Sequence, residues 1–309
     1  MVWNKKDLLT IEELTGEEIN YVLQTASYFK EISLRPVKKV PALRGKTIVN
    51  LFFEPSTRTK TSFELAAKRL SADVLNFEVI TSSISKGETI VDTVKNIEAM
   101  KVDCFIVRHK ISGAAEIISK VVRSAVINAG DGCHEHPTQA LLDIFTLKEH
   151  FGEIKGLNVA IIGDVFHSRV ARSNIWGFTK LGAHVRLCAP ATFIPREIEK
   201  IGLSVFYRME DAIKNVDVVY LLRVQKERQH ENFFPSLEEY SLLYEFNAQR
   251  LEIIRSKFVI MHPGPMNRGI EIKSDVAEKE NSLILKQVTN GIAVRMAVLY
   301  LTVGQLNGR

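Results

Sequence analysis

From residue 47 onward, short runs of β-branched and aromatic residues alternate with longer stretches in which apolar positions recur every three or four residues. A period near two giving way to a period near 3.6 is the pattern of repeated strand–helix–strand units around parallel sheets. The first half yields four strands, 47–53, 74–79, 104–108 and 126–129, with helices near 58–70, 88–100 and 113–123 between them. In the middle helix Ile90, Val94, Ile97 and Met100 form one stripe to be buried, and Gly87 and Glu88 mark its start. Residues 137–150 read as a long helix, and the polar, glycine-containing stretch FGEIKG after it as a break. Strands resume at 158–163, 184–189, 204–207, 217–222 and 258–261. The last helix, 291–306, is apolar on more than one face and should be buried by packing back on the first half. The N-terminal MVWNKKDLLTIEELTGEEI is acidic and helical in pattern. The expected fold is α/β, with two doubly wound parallel-sheet domains, residues 1–137 plus 291–309 and residues 138–290.

Composition narrows the class. A chain of 309 residues with 46% hydrophobic and 25% charged residues is ordinary globular material for two domains, which excludes disorder and disulfide miniproteins. Cys104, Cys133 and Cys188 are odd in number and never form C-x-x-C, so neither a disulfide framework nor a thiolate zinc site is expected. Without an apolar leader or a run of about 20 apolar residues, the expected location is cytoplasmic, with no membrane partner. The net charge of +5 suits an anionic partner without saying which.

Candidate chemistry lies where parallel strands end, since ligands of open α/β sheets sit outside the carboxyl ends of strands. The first strand runs into Glu54-Pro55-Ser56-Thr57-Arg58-Thr59, followed by an apolar-periodic helix through Phe63, Ala66, Ala67 and Leu70. Hydroxyls, amide donors and a guanidinium at a helix N-terminus suit a phosphate. Gly45-Lys46-Thr47 imitates a P-loop, but Val40 occupies the position of its first glycine and the tripeptide precedes its strand. The second strand leads to a hydroxyl-rich loop with Ser82 and Lys86, and the third ends in Arg108-His109. The fourth is followed by Gly130-Asp131-Gly132-Cys133-His134-Glu135-His136-Pro137-Thr138-Gln139, which resembles a metal cluster without matching the spacing of one. A neutral imidazole there would instead donate to a carbonyl oxygen, with Gln139 on the same small group.

In the second half, Gly163-Asp164-Val165-Phe166-His167-Ser168-Arg169 imitates a dinucleotide-binding turn but lacks its glycines. Arg169 is a guanidinium at a strand end, and the run Arg223-Val224-Gln225-Lys226-Glu227-Arg228 is either a solvated basic loop or one whose Arg223 suits a carboxylate. His262-Pro263-Gly264-Pro265 forms a rigid turn whose backbone groups could line a cleft. A site rich in donors and poor in nucleophiles fits transfer between two anionic substrates.

Taken together, Ser56-Thr57-Arg58-Thr59 with Ser62-Phe63-Glu64, Lys86-Gly87-Glu88-Thr89, Arg108-His109, His136-Pro137-Thr138-Gln139, Arg223 to Arg228 and His262 to Pro265 resemble the aspartate/ornithine carbamoyltransferase family, in family order and over nearly the whole chain. The resemblance implies a carbamoyl phosphate-binding first domain, an aspartate-binding second domain and an active site in the cleft between them. It assigns the phosphate to Ser56, Thr57, Arg58, Thr59 and Arg108. The carbonyl oxygen falls to Thr59, Arg108 and His136, and the amino group to Gln139 and the backbone of Gly264 and Pro265. Lys86, Arg169, Arg223 and Gln225 would bind L-aspartate. Ser82 and Lys86 would reach into a neighbouring subunit of a homotrimer.

The implied reaction is ordered binding, domain closure and attack of the aspartate α-amine, giving N-carbamoyl-L-aspartate and phosphate, a pyrimidine precursor step. It needs no metal or organic cofactor. Regulatory chains or a dihydroorotase partner are compatible with such trimers. The alternatives are transfer to ornithine, or a non-catalytic anion-binding protein of the same fold. Against the first stand Pro263 in place of a cysteine and the Lys86 and Arg223-Val-Gln motifs; against the second stands the complete donor set. A nucleic-acid partner is not expected, because basic and aromatic residues do not interleave.

Overall fold

Ile48, Val49 and Leu51 are fully buried in the first strand, each contributing about 1.5–3 kcal/mol by leaving water. That apolar run makes a central strand of a parallel sheet. A computed structural model describes residues 2–78, 89–225 and 236–304. The chain divides into two compact units, residues 1–145 with 289–309 and residues 146–288.

The first unit runs α1 (Gly16–Ser33), β1 (Thr47–Phe52), α2 (Thr57–Arg69), β2 (Asp73–Glu78), α3 (Ile90–Glu98), β3 (Cys104–His109), α4 (Ala114–Val121), β4 (Ala125–Asp131) and α5 (Pro137–Phe151), which crosses the division. Its four strands lie in the order β2-β1-β3-β4, all parallel. β1 and β3, two central strands, therefore have their carboxyl ends side by side with that of β4. Phe63, Ala66 and Ala67 of α2 and Val94 and Ile97 of α3 are buried, as the helical stripes require.

The second unit contains β5 (Asn158–Ile162), α6 (Arg169–Lys180), β6 (His184–Cys188), β7 (Ser204–Phe206), α7 (Met209–Ala212), β8 (Val218–Leu221), α8 (Leu237–Tyr244), α9 (Ala248–Ile253), β9 (Val259–Met261) and α10 (Ser274–Ala277). Its parallel sheet has the order β7-β6-β5-β8-β9. The core gathers residues from both faces of the sheet, including Ala160, Leu221, Phe193 and Ile260. Helix α11 (Ile284–Leu299) begins in this unit and ends in the first, closing with a π-turn at Tyr300–Gly304.

Three expectations are corrected. The N-terminal segment is not helical before Gly16. Helix α1 starts there because Thr15 and Glu18 form a reciprocal capping box, while ahead of it Leu8 lies on the edge of β4 and Ile11–Leu14 make a turn. Leu8 bridges Ile127, donating to Val126 O and accepting from Asn128 N at 2.9 Å each. Met100 does not complete the stripe of α3: the helix ends at Glu98, and Met100 is 71% exposed. Thr89 is the N-cap of α3, its hydroxyl accepting from Asp92 N, whereas Gly87 and Glu88 lie outside the described residues. The last helix starts at Ile284 and runs through Gly291, the residue taken as its beginning.

Candidate functional site

Adjacent strand ends in the first unit bring the predicted phosphate- and carbonyl-directed residues together. Ser56 is extended (φ −161°, ψ 93°) and heads α2, yet its side chain makes no capping hydrogen bond. The first turn of α2 carries no acidic residue, unlike α1 with Glu17 and Glu18 or α3 with Asp92. The amide donors and positive dipole end of α2 are thus not neutralised by the helix's own carboxylates. Thr57 and Arg58 are exposed, and Thr59 is buried.

Arg108, at the end of β3, spans its two neighbours: Nη2 donates to Glu54 Oε1 at 2.9 Å beyond β1, and Nη1 donates to Ala129 O at 3.1 Å in β4. Phe53 N returns a bond to Arg108 O at 2.8 Å. The half-buried carboxylate makes the guanidinium contact charge-assisted and fixes the plane of the fork.

Buried His136 precedes α5 in a loop whose acids are saturated with donors. Asp131 accepts from Asn128 Nδ2 (2.8 Å), Gly113 N (2.6 Å), Glu135 N (3.2 Å) and the half-buried His134 Nδ1 (3.1 Å). Burial pushes its carboxyl upward, but the bonds from His134, Asn128 and Gly113 outweigh it and hold the carboxyl below its usual range. Glu135 accepts from the amides of Ile11 (2.9 Å) and Glu12 (3.2 Å). These bonds account for the acids of the metal-like stretch, and among the described residues no three His, Cys, Asp or Glu side chains are grouped to hold a metal ion. Gln139, in the first turn of α5, donates Nε2 to buried Asp143 Oδ1 at 2.9 Å. A carboxylate accepts only, so the amide's Oε1 is the end turned away.

A second cluster forms in the other unit. Gly163 follows β5 with φ 121°, and a Cβ there would stand 2.9 Å from Leu222 O and 3.1 Å from Tyr240 Oη, so only glycine lets the two strand ends approach. Asp164 then joins both loops: Oδ1 accepts from His167 N (3.2 Å) and pairs with His167 Nδ1 (2.8 Å), and Oδ2 accepts from Gln225 N (3.1 Å). Ser168 caps α6 by accepting from Ala171 N at 3.1 Å, which places buried Arg169 at the helix's first position. Arg223 and Gln225 are half-buried in the loop after β8. After β9, His262 Nδ1 accepts from Gly264 N at 2.8 Å, which leaves Nε2 protonated and facing Glu271 Oε1 at 3.2 Å. The Gly264–Pro265 bond is cis. With the glycine N–H engaged and proline lacking one, this turn offers carbonyl oxygens as acceptors.

Ser82, Lys86, Lys226, Glu227 and Arg228 lie outside the described residues. Three acids hold predicted residues without having a role in the sequence reading: Glu54 on Arg108, Asp143 on Gln139 and Asp164 on Gln225. Glu54 and Asp164 each sit two residues past a strand end, a positional signal that could have marked them.

Residues 6–149 match the aspartate/ornithine carbamoyltransferase, carbamoyl-P binding domain, and residues 155–302 match the Asp/Orn binding domain of the same family. The aspartate carbamoyltransferase catalytic subunit of Halothermothrix orenii is 56% identical over 305 residues, covering 99% of this chain and 97% of its own. Aspartate transcarbamoylase from Trypanosoma cruzi in complex with carbamoyl phosphate superposes with a TM-score of 0.88 at 30% identity, covering 97% of each chain. Ornithine carbamoyltransferase from Pyrococcus furiosus gives 0.86 at 31% identity, covering 98% of this chain and 99% of its own. The chain belongs to the aspartate/ornithine carbamoyltransferase family.

Proposed function

We propose that this chain is the catalytic chain of an aspartate carbamoyltransferase, moving the carbamoyl group of carbamoyl phosphate to the α-amine of L-aspartate in pyrimidine formation. The observation that carries the reading is the acid-free head of α2, with a non-capping Ser56, beside Arg108 and His136 on adjoining strand ends. The choice of aspartate over ornithine rests on the 56% identity with an aspartate-specific relative against 31% with an ornithine-specific one, and on Arg223, whose charge attracts a second carboxylate and repels an ornithine ammonium.

In this reading Ser56, Thr57, Arg58 and Thr59 bind the phosphate with the amides of α2, and Arg108 assists. Thr59, Arg108 and His136 direct hydrogens at the carbonyl oxygen, where charge develops as the amine attacks; stabilising that oxyanion is where such a site gains most of its rate. Gln139 Oε1 and the Gly264 and Pro265 carbonyls accept from the carbamoyl NH2 group, so the carbonyl carbon faces its attacker. Arg169, Arg223, Gln225 and Lys86 hold the two aspartate carboxylates. The C–O bond to phosphate breaks as the C–N bond forms, and the departing phosphate accepts the amine proton. Ser82 and Lys86 complete the site of a neighbouring subunit in a homotrimer.

The deciding experiment supplies purified protein with carbamoyl phosphate and either aspartate or ornithine and follows phosphate release. Release with aspartate is expected; release with ornithine alone, or with neither, overturns the proposal.

A further inference from the structure

The turn after β9 is held from inside by one acid. Glu271, 1% exposed, accepts from Asn267 N through Oε1, and the same oxygen faces His262 Nε2 at 3.2 Å. His262 in turn takes the Gly264 N–H on Nδ1 at 2.8 Å. A single carboxylate oxygen thus meets both ends of the stretch 262–267. The backbone on either side is placed independently of these side chains: Glu271 O accepts from Phe246 N at 3.0 Å, and His262 N donates to Gln287 Oε1 at 3.1 Å. All of these contacts lie within the second unit.

We propose that Glu271 is a positioning residue for recognition of the carbamoyl amino group: by fixing the His262 tautomer it keeps the Gly264 N–H inside the turn, which then presents carbonyl oxygens alone. The inference rests on the function proposed above. Oε1 already accepts from Asn267 N, so it meets the imidazole as an acceptor and the ring proton stays on Nε2. Nδ1 then has a lone pair for the Gly264 N–H. With the proton on Nδ1, two donors would oppose each other, the glycine N–H would be turned out, and the turn would offer a donor to an amino group that is itself a donor.

The other carboxylate oxygen supports this reading from a different side. Glu271 Oε2 is buried with no hydrogen-bond partner among the described residues, an unfavourable way to bury an acid. A carboxylate, however, presents an acceptor to the two donors in either orientation, whereas an amide does so in only one.

The test compares carbamoyl phosphate with acetyl phosphate, in which a methyl replaces the amino group, and reads discrimination as the acetyl phosphate Ki divided by the carbamoyl phosphate KM. Glu271→Leu removes the acceptor and should lower discrimination about tenfold, while Glu271→Gln, which keeps one, should stay within about twofold of the parent. In a His262→Asn background, where the shorter side chain can still accept from the amide two residues on, adding Glu271→Leu should change the ratio less than about twofold, because the acid acts through the imidazole. Nitrogen NMR of histidine-labelled parent protein, with the His262 signal assigned by its loss in His262→Asn, should find the proton on Nε2. A general loosening of the fold would weaken both ligands together and leave the ratio unchanged. With an active parent, any of four results overturns this inference alone: an unchanged ratio in a cooperatively melting Glu271→Leu, a lost ratio in Glu271→Gln, equal losses with and without His262→Asn, or a proton on Nδ1 of His262. A parent inactive with aspartate overturns the functional reading and this inference with it.

Discussion

Glu54 holds the guanidinium of Arg108 at 2.9 Å, which makes it a sensitive probe of orientation. Glu54→Gln keeps the shape and removes the charge from a half-buried pair. Misplacement of a catalytic group by about 1 Å costs on the order of 10²-fold, so kcat/KM for carbamoyl phosphate should fall by about that factor while the melting temperature changes little. A loss of melting temperature with activity retained would place Glu54 in stability instead. Asp131 gives the acid-side counterpart. Its carboxyl is held below the ordinary range in the folded protein, so its contribution is present above the unfolded value near 3.8 and disappears as pH falls through the folded one. Asp131→Asn should therefore be less stable than the parent at neutral pH, and the difference should shrink in urea titrations carried below about pH 4. The cysteines differ by burial: Cys104 and Cys188 are buried, with desolvation pushing both thiols up, Cys188 to about 12. Alkylation of native protein should modify Cys133 alone, and all three only after denaturation. At this scale the cations proposed for the site stand out in the sequence because an exposed-type residue directly after an apolar strand is conspicuous. The buried acids beside them do not, because what distinguishes Asp143 or Glu135 from any surface acid is burial, which a linear sequence does not display.

At the scale of elements, the head of α2 behaves unlike its neighbours. Ser236 and Ser168 cap α8 and α6 by accepting from backbone amides, whereas Ser56 caps nothing. Ser236→Ala should accordingly cost about 1 kcal/mol of stability, while Ser56→Ala should leave the unfolding midpoint nearly unchanged and lower activity. Equal stability losses in the two variants would show Ser56 to be an ordinary cap. The strands were legible to within a residue or two because their apolar runs are bounded by polar loops. The extended N-terminal segment was not: its alternation is brief, and its conformation is set by the edge of β4, a partner more than 110 residues away. The start of α11 was missed for a related reason, since Gly291 looks like punctuation until the Arg295 guanidinium that its missing Cβ accommodates is seen.

At the scale of the molecule, β2 stands at one edge of the first sheet, while the other edge, β4, is already met by Leu8. The proposed homotrimer makes a prediction that a self-sufficient monomer does not. Arg58→Ala and Lys86→Ala should each be inactive, yet a 1:1 mixture dissociated and reassembled should regain about a quarter of the parent rate, because each mixed trimer rebuilds one intact shared site. No recovery would assign both residues to a single chain's own site.

The first unit is also discontinuous: residues 1–145 require residues 289–309 to complete it. During synthesis the nascent chain must emit the whole second unit, roughly 140 residues, before Arg295 leaves the ribosome, a wait of about 7–30 s at ordinary elongation rates. For that interval Ser62, which accepts from Arg295 Nη1 at 2.6 Å, and Phe63, whose ring lies against that guanidinium, lack their C-terminal partner, while the second unit already has all of its strands. The order of maturation should thus run against the order of translation, and a chain arrested on the ribosome with only residues 1–288 emerged should resist protease in its second unit and remain open to it in its first.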